Sequence, residues 1–349
     1  MNVLIVKIGA IGDAIMALGA LNWLKKTSPS IHVTWLAGEK IVPLLQSSNL
    51  ADRIVSVKEE NLFGRSRLKA FEAIFGIWKK LWRIKYDLII IGHRDIRYRA
   101  LITPVRCREI RILGDIKRGR QNPVPGRYHG DEYLRLLSGI DDSAMPPFTF
   151  PDIDVKAPEP EFQKILPFKK VEPWILLFPG SAKNHLREDP LRRWPIERYV
   201  ELAEQLLSNR HKVILCGSPA DLWVGEPFIG MGVVDLIGKT DFNHLMWVIA
   251  QSDVVVAHDS GPLHLALLLK RPLVALFGPT DPSEKIPRQK SSPVSLLCNG
   301  GEFSCSPCYD GKTYASCNKN ICMESISAHE ANQAVEQQLM VKKLSLFPL

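Results

Sequence analysis

Asp13 follows Lys7 by six residues in VKIGAIGD, and Asp259, Ser260, Gly261 and His264 crowd into HDSGPLH. Both stretches interrupt strongly apolar surroundings. A carboxylate such as Asp13 near a helix start is either an acid favoured by the helix dipole or a general base that takes a proton from a hydroxyl. The second stretch also has two readings. Asp259 or Ser260 caps the helix that follows, or the helix start, with Gly261 permitting close approach and His264 one turn in, holds an anion such as a diphosphate.

Two more stretches share this chemistry. In LLFPGSAKNHLREDPLRRW, Gly180 and Ser181 offer backbone N–H groups and a hydroxyl. Lys183, Arg187, Arg192 and Arg193 add positive charge suited to phosphate oxygens. In VILCGSPAD, Gly217 and Ser218 precede Asp221, and either Asp221 or Asp259 suits a ribose or sugar hydroxyl as acceptor. The 179–181 and 259–264 turns are expected to converge on one anionic ligand with a polar sugar portion.

Short β-branched runs and helical patterns must position these residues. Strands are predicted at Asn2–Val6, His32–Leu36, Arg53–Val57 and Leu88–Ile91, then at Trp174–Phe178, Lys212–Cys216, Val233–Asp235, Val254–Ala257 and Leu273–Phe277, with helices such as Pro195–Leu207 between them. Gly9 and Gly12 are expected to turn the chain tightly between the first strand and its helix. The spacing is not G-x-G-x-x-G, which weakens the dinucleotide-fingerprint reading and counts against a nicotinamide dehydrogenase. Near-continuous hydrophobic strands alternating with helices imply parallel sheets covered on both faces, an α/β fold. At 349 residues the chain is long enough for two domains. Six prolines from Pro146 to Pro167 stiffen a connector, and the boundary is placed near residue 157, giving domains 1–157 and 158–349. Two doubly wound domains facing each other would bind ligands in a central cleft, at the carboxyl ends of the strands.

Apolar content of 46% with 23% charged residues is that of a soluble globular protein. No apolar run approaches the ~20 residues of a membrane span. The opening MNVLIVKIGAIGD lacks a basic leader, and Lys7 and Asp13 break its apolar run, so a buried strand is expected there in a cytosolic protein. The net charge of +8 is uneven: Arg65–Arg127 holds 17 Lys/Arg against 5 Asp/Glu, an excess of 12, which leaves the remainder at 8 − 12 = −4. Such a block is a solvated surface, or it attracts nucleic acid, an anionic membrane face or a phosphorylated substrate. Without a recognisable nucleic-acid module, a nucleic-acid partner is not expected. Within the block, Leu68, Phe71, Ile74, Phe75, Trp78, Leu81 and Trp82 recur at helical spacing. They are expected on a core-facing helix, the alternative being a helix docked on a membrane face.

Four of the seven cysteines are grouped as C-x2-C-x8-C-x4-C: Cys305, Cys308, Cys317 and Cys322. In a cytosolic chain four such thiolates suit a closed tetrahedral metal site, structural because no position is left for substrate. Four free thiols are the alternative.

The stretches VLIVKIGAIGD, FPGS…RRWPIERYVELAEQL and HDSGPLHLALLLKRPLVALFGPTDP together resemble the bacterial heptosyltransferases of glycosyltransferase family 9, in the same order and spacing over nearly the whole chain. The resemblance implies a GT-B fold of two Rossmann-like domains, an acceptor-binding one of residues 1–157 and a nucleotide-sugar-binding one of residues 158–349 whose C-terminal helix packs back on the first. It implies inverting transfer of a sugar, typically heptose from ADP-heptose, to a hydroxyl of a lipopolysaccharide-core or related glycan, with no cofactor for the chemistry. A protein hydroxyl is the rival acceptor, and a non-catalytic nucleotide-binding protein or a nucleic-acid binder a more distant alternative. By position, Asp13 resembles the catalytic base with Lys7 beside it. Ser181 with its neighbour Gly180, and Arg193, where a lysine is common in the family, resemble the diphosphate contacts. Asp259, Ser260, Gly261 and His264 match the donor-binding turn, and Asp221 more loosely a ribose-binding acid. A similar Cys-rich segment in some members implies a structural zinc or iron at the four cysteines. A lipid-linked acceptor would bring the protein to the inner membrane as a peripheral partner.

Overall fold

The computed structural model describes residues 1–64, 66–93, 95–114, 123–140, 145–166, 172–182, 188–288, 293–309, 313–317 and 319–346, with the side chains of 96 and 343–346 outside the description. The chain forms two compact units, one built on Met1–Asp154 and the other from Val155 onward, with Pro287 and Arg288 grouping with the first. The division falls inside the proline-rich connector.

In the first unit β1 (Asn2–Val6), β2 (His32–Gly38), β3 (Arg53–Val57), β4 (Lys85–Ile91) and β5 (Arg106–Ile112) form a parallel sheet in the order β3-β2-β1-β4-β5. Its helices are α1 (Ile11–Thr27), α2 (Val42–Ser48), α3 (Glu59–Phe63), α4 (Arg67–Leu81) and α5 (His129–Ser138). The first helix is apolar on nearly every side and buried accordingly. It packs on α5, and Gly19 is bare because the Phe148 ring occupies the space a Cβ would need. Lys25 and Asp52 lock the opposite edge at 2.7 Å, and Asp52 also accepts from the Val33 amide.

The second unit repeats the plan. Strands β6 (Trp174–Leu177), β7 (Lys212–Leu215), β8 (Val234–Asp235), β9 (Val254–His258), β10 (Leu273–Phe277) and β11 (Val294–Cys298) run parallel in the order β11-β10-β9-β6-β7-β8. Around them lie α6 (Pro160–Gln163), α7 (Ile196–Ser208), α8 (Phe242–Gln251), α9 (Gly261–Leu268), α10 (Ile321–Glu324) and α11 (Ala328–Leu346). The C-terminal helix α11, which the resemblance sends back to the first domain, inserts Ala331, Val335 and Leu339 into the core of this second sheet, against α7, β9 and β10.

All nine predicted strands form, with ends shifted by at most three residues, and β5 and β11 are additional. Both are edge strands. In β5 the apolar run is diluted by Arg106, Arg108, Glu109 and Arg111, because one side of an edge strand faces water.

In each sheet the winding reverses once. β1 lies between β2 and β4, and β6 lies between β7 and β9. Loops leaving the carboxyl ends of such a strand pair part toward opposite faces and open a crevice where ligands bind.

One expectation needs correction. Of the apolar residues in α4 and just beyond it, Ile77 and Leu81 are buried in the core, with Ile74 packed beside them. Leu68, Phe71, Phe75 and Trp82 point outward. The helical spacing is real, but it carries two apolar stripes rather than one.

Candidate active site

The residues after β1 stand at the first reversal point. Lys7 is only 3% exposed, and its ammonium lies 2.8 Å from Asp13 Oδ2 on the first turn of α1, with Asp13 34% exposed. A buried ammonium is tolerable only when paired, and this pair fixes the carboxylate at the rim of the crevice. The turn itself is not made by the expected glycines: Ala10 is the residue in left-handed conformation, at φ 62° and ψ 103°. No side chain caps α1, and Asp13 is paired to Lys7 instead.

The turn is held from several sides. Trp35 Nε1 donates to the Lys7 carbonyl at 3.0 Å, the Gly38 amide donates to the Ile8 carbonyl at 2.9 Å, and the Ile8 amide donates to His93 Nε2 at 3.0 Å. An amide can only donate, so this ring nitrogen is unprotonated and the imidazole neutral. Burial, aided by the Lys7 charge, pushes the His93 pKa well below its ordinary value, and Asp13 opposes this only in part. His93 stacks on Tyr98 with centroids 3.6 Å apart and planes 7° from parallel. The Glu59 carboxylate lies against Gly38, where a Cβ would collide with it. Burial raises the Tyr98 pKa, and the charges of Asp95 and Glu59 add to the rise. Sequence reading singled out none of His93, Tyr98 or Glu59. The available signal was a histidine and an acid directly following strands whose carboxyl ends share one edge.

The second reversal point gathers the other stretches. After β6, Ser181 and Ala182 both take positive φ, 66° and 56°, and such strain in consecutive non-glycine residues is typical of binding turns. The Ser181 amide donates to Asp221 Oδ1 at 2.8 Å, and Arg193 donates through Nε and Nη2 to the Ser181 carbonyl at 3.1 and 2.9 Å. Asp221 is buried, and its Oδ2 accepts from the Ser218 amide and hydroxyl at 2.8 and 2.6 Å. Its carboxylate therefore ties the loops after β6 and β7 together. Lys183 and Arg187 lie outside the described residues.

After β9, no side chain caps α9: Ser260 Oγ donates back to the His258 carbonyl at 3.0 Å. The capping alternative for Ser260 and Asp259 is therefore not realised. Asp259 is buried, 3.2 Å from Arg192 Nη1 and 4.0 Å from His264 Nε2. Burial works to raise its pKa, yet the charges of Arg192, Lys285 and His264 outweigh burial and hold it below the usual carboxylate value. Arg192 also donates through Nε to the Tyr314 hydroxyl at 2.6 Å, and its guanidinium lies over the Tyr309 ring at 5.1 Å. Arg192 rather than Arg193 is thus the guanidinium beside the 259–264 turn. His258, the other histidine of that stretch, is a core residue beside the Tyr199 hydroxyl at 3.3 Å, and burial lowers its pKa to about 4.

The four clustered thiols line one cavity of about 40 Å³, together with Leu191, Pro279 and Asn320. They differ in setting: Cys322 is buried, Cys308 half-buried, and Cys305 and Cys317 exposed. Among the described residues, no three His, Cys, Asp or Glu side chains stand close enough to share one metal ion. The Cys317 thiol donates to the Lys319 carbonyl at 2.9 Å.

Residues 118–317 match the family model described as glycosyltransferase family 9 (heptosyltransferase). Over 327 residues the sequence is 37% identical to lipooligosaccharide heptosyltransferase 2 of Haemophilus influenzae, covering 86% of this chain and 90% of that protein. The chain belongs to glycosyltransferase family 9. The fold likeness extends over nearly the whole chain. The solved Escherichia coli ADP-heptose LPS heptosyltransferase II superposes with a TM-score of 0.73 at 19% identity, covering 98% of this chain and 100% of that one. The E. coli heptosyltransferase WaaC, solved with ADP, gives 0.71 at 18% identity, covering 97% and 100%. This family 9 chain is accordingly a glycosyltransferase, and its two parallel sheets are consistent with the two Rossmann-like domains of the GT-B fold.

Proposed function

We propose that the protein transfers heptose from ADP-heptose, with inversion, to a hydroxyl of a lipopolysaccharide-core glycan. The observation that carries this reading is that the family-matching motifs fall at the reversal points of both sheets, with a paired carboxylate at one and an uncapped, cation-rich helix start at the other. In the proposed step an acceptor oxygen attacks the anomeric carbon and its proton passes to Asp13. The bond from that carbon to the diphosphate oxygen breaks, and the electron pair leaves with ADP. Lys7 would hold the Asp13 carboxylate in position. Gly180, Ser181, Arg193, Ser260, Gly261 and His264, together with Arg192, would meet the charge that grows on the diphosphate. Asp259 would organise these cations, and Asp221 would shape the loop under the nucleoside. The first domain would take the acceptor and the second the nucleotide sugar. No cofactor enters the step.

The test is ADP release from a panel of nucleotide sugars, with and without lipopolysaccharide-core acceptor. Acceptor-stimulated release from ADP-heptose is expected, and no preference for ADP-heptose would overturn the donor assignment. Stimulation by a protein acceptor alone would reassign the acceptor.

No helix among the described residues is long and apolar enough to cross a membrane. With a lipid-linked acceptor, the proposed setting is the cytoplasm, in peripheral contact with the inner membrane.

A structural ion at the four thiols is a second reading, supported by four soft donors lining one cavity. It requires the exposed Cys305 and Cys317 to turn inward. Metal analysis of protein purified without chelator should give close to one equivalent of zinc or iron, and far less would dismiss it.

A further inference from the structure

We propose that the outward face of α4 docks the first domain on an anionic lipid surface. Leu68, Phe71, Phe75 and Trp82 follow one another at steps of three, four and seven residues, which places them along one side of a helix. All are more than half exposed, at 68, 62, 57 and 52%. The opposite side sends Ile77 and Leu81 into the core. The fold therefore uses only one of two apolar faces. The Phe71 and Phe75 rings stack with centroids 6.5 Å apart and planes 12° from parallel, making a continuous aromatic surface. Single exposed hydrophobes are ordinary, whereas a contiguous aromatic stripe marks an interaction surface.

Charge identifies what covers it. Arg67, Lys69, Lys79, Lys80 and Arg83 are all exposed and bracket the stripe at both ends, against one acid, Glu72. The Arg83 guanidinium lies over the Trp82 ring at 5.4 Å. Rings that enter the boundary between headgroups and acyl chains, with cations reaching lipid phosphates on either side, are the design of an interfacial helix. A second copy of this chain fits poorly, because a two-fold contact through α4 would face these cations with themselves. The proposal extends the lipid-linked acceptor reading, but its test does not depend on turnover.

Full-length protein is floated with phosphatidylcholine vesicles, with and without phosphatidylglycerol, in low and high salt. Wild type should float with the anionic vesicles in low salt and be released by high salt. Phe71→Ser/Phe75→Ser should weaken binding roughly tenfold or more. Lys79→Glu/Lys80→Glu should weaken it about twenty-fivefold or more, at about fivefold for each lysine lost from an anionic surface. Both variants should keep the wild-type melting temperature, since the altered side chains lie outside the core. Four results would each overturn the proposal: no flotation on anionic vesicles, equal flotation on neutral ones regardless of salt, a phenylalanine variant that floats like wild type, or a wild-type dimer that this variant dissociates. ADP release measured on the same samples separates the readings. Turnover without flotation removes only the docking, and flotation without turnover removes only the transferase assignment.

Discussion

The Arg192 guanidinium bridges the Cys-rich segment and the 259–264 turn: Nε donates to the Tyr314 hydroxyl at 2.6 Å, while Nη1 lies 3.2 Å from Asp259 Oδ2. Burial of this cation is compensated by Asp259, Tyr314 and Asp189, which together raise its pKa above the ordinary arginine value. The segment holding the four cysteines thereby orients a guanidinium at the uncapped start of α9.

Removing that support should affect binding more than chemistry. Tyr314→Phe deletes one hydrogen bond to a charged group at a half-buried position, a loss of about 1.5 kcal/mol. KM for the nucleotide sugar should rise about tenfold with kcat nearly unchanged. A fall in kcat at constant KM would place Tyr314 outside donor binding.

Gly180 has a steric requirement rather than a conformational one. A Cβ there would sit 2.5 Å from Asp221 Oδ1 and 2.6 Å from its Cβ and Cγ. Because Asp221 is fixed by Ser181 and Ser218, it cannot give way cheaply. Gly180→Ala should cost about 1–3 kcal/mol of stability, measured by denaturant unfolding, and weaken ADP binding. Unchanged stability would mean that the loops after β6 and β7 are not mutually locked.

The strand ends and both motif-bearing turns are legible in the sequence, because buried parallel strands read as continuous apolar runs that stop abruptly at polar residues. The choice between Arg192 and Arg193 is not legible. Neighbouring side chains point different ways, and the direction depends on a short 3-10 turn at Pro190–Arg192. His93 and Glu59 follow strands far apart in sequence, so their approach to Gly9 and Ile8 follows from sheet order alone. Ala10 carries no glycine-like mark of its left-handed conformation. The two apolar faces of α4 look like one amphipathic pattern until the core claims Ile77 and Leu81.

Acid should destabilise the protein through its buried histidines. Burial lowers His258 from 6.5 to about 4 and also holds His93 well below the ordinary value. Unfolded histidines bind protons near pH ~6.5 while these two remain neutral, so their contribution is complete above that pH and is lost as pH falls toward ~4. For His258 the loss is on the order of 3 kcal/mol. Urea unfolding across this window should show His258→Asn with a flatter pH dependence than wild type, the His93 share remaining. Parallel profiles would remove His258 from this linkage.

The most direct test of the account is transfer by Asp13→Ala. The variant loses the carboxylate paired with Lys7, a residue of the first unit. With ADP-heptose and lipopolysaccharide-core acceptor, ADP affinity should stay within about twofold of wild type while kcat falls by about 10²–10⁴. Transfer at the wild-type rate, with ADP bound as before, would contradict the assignment of Asp13 as the base.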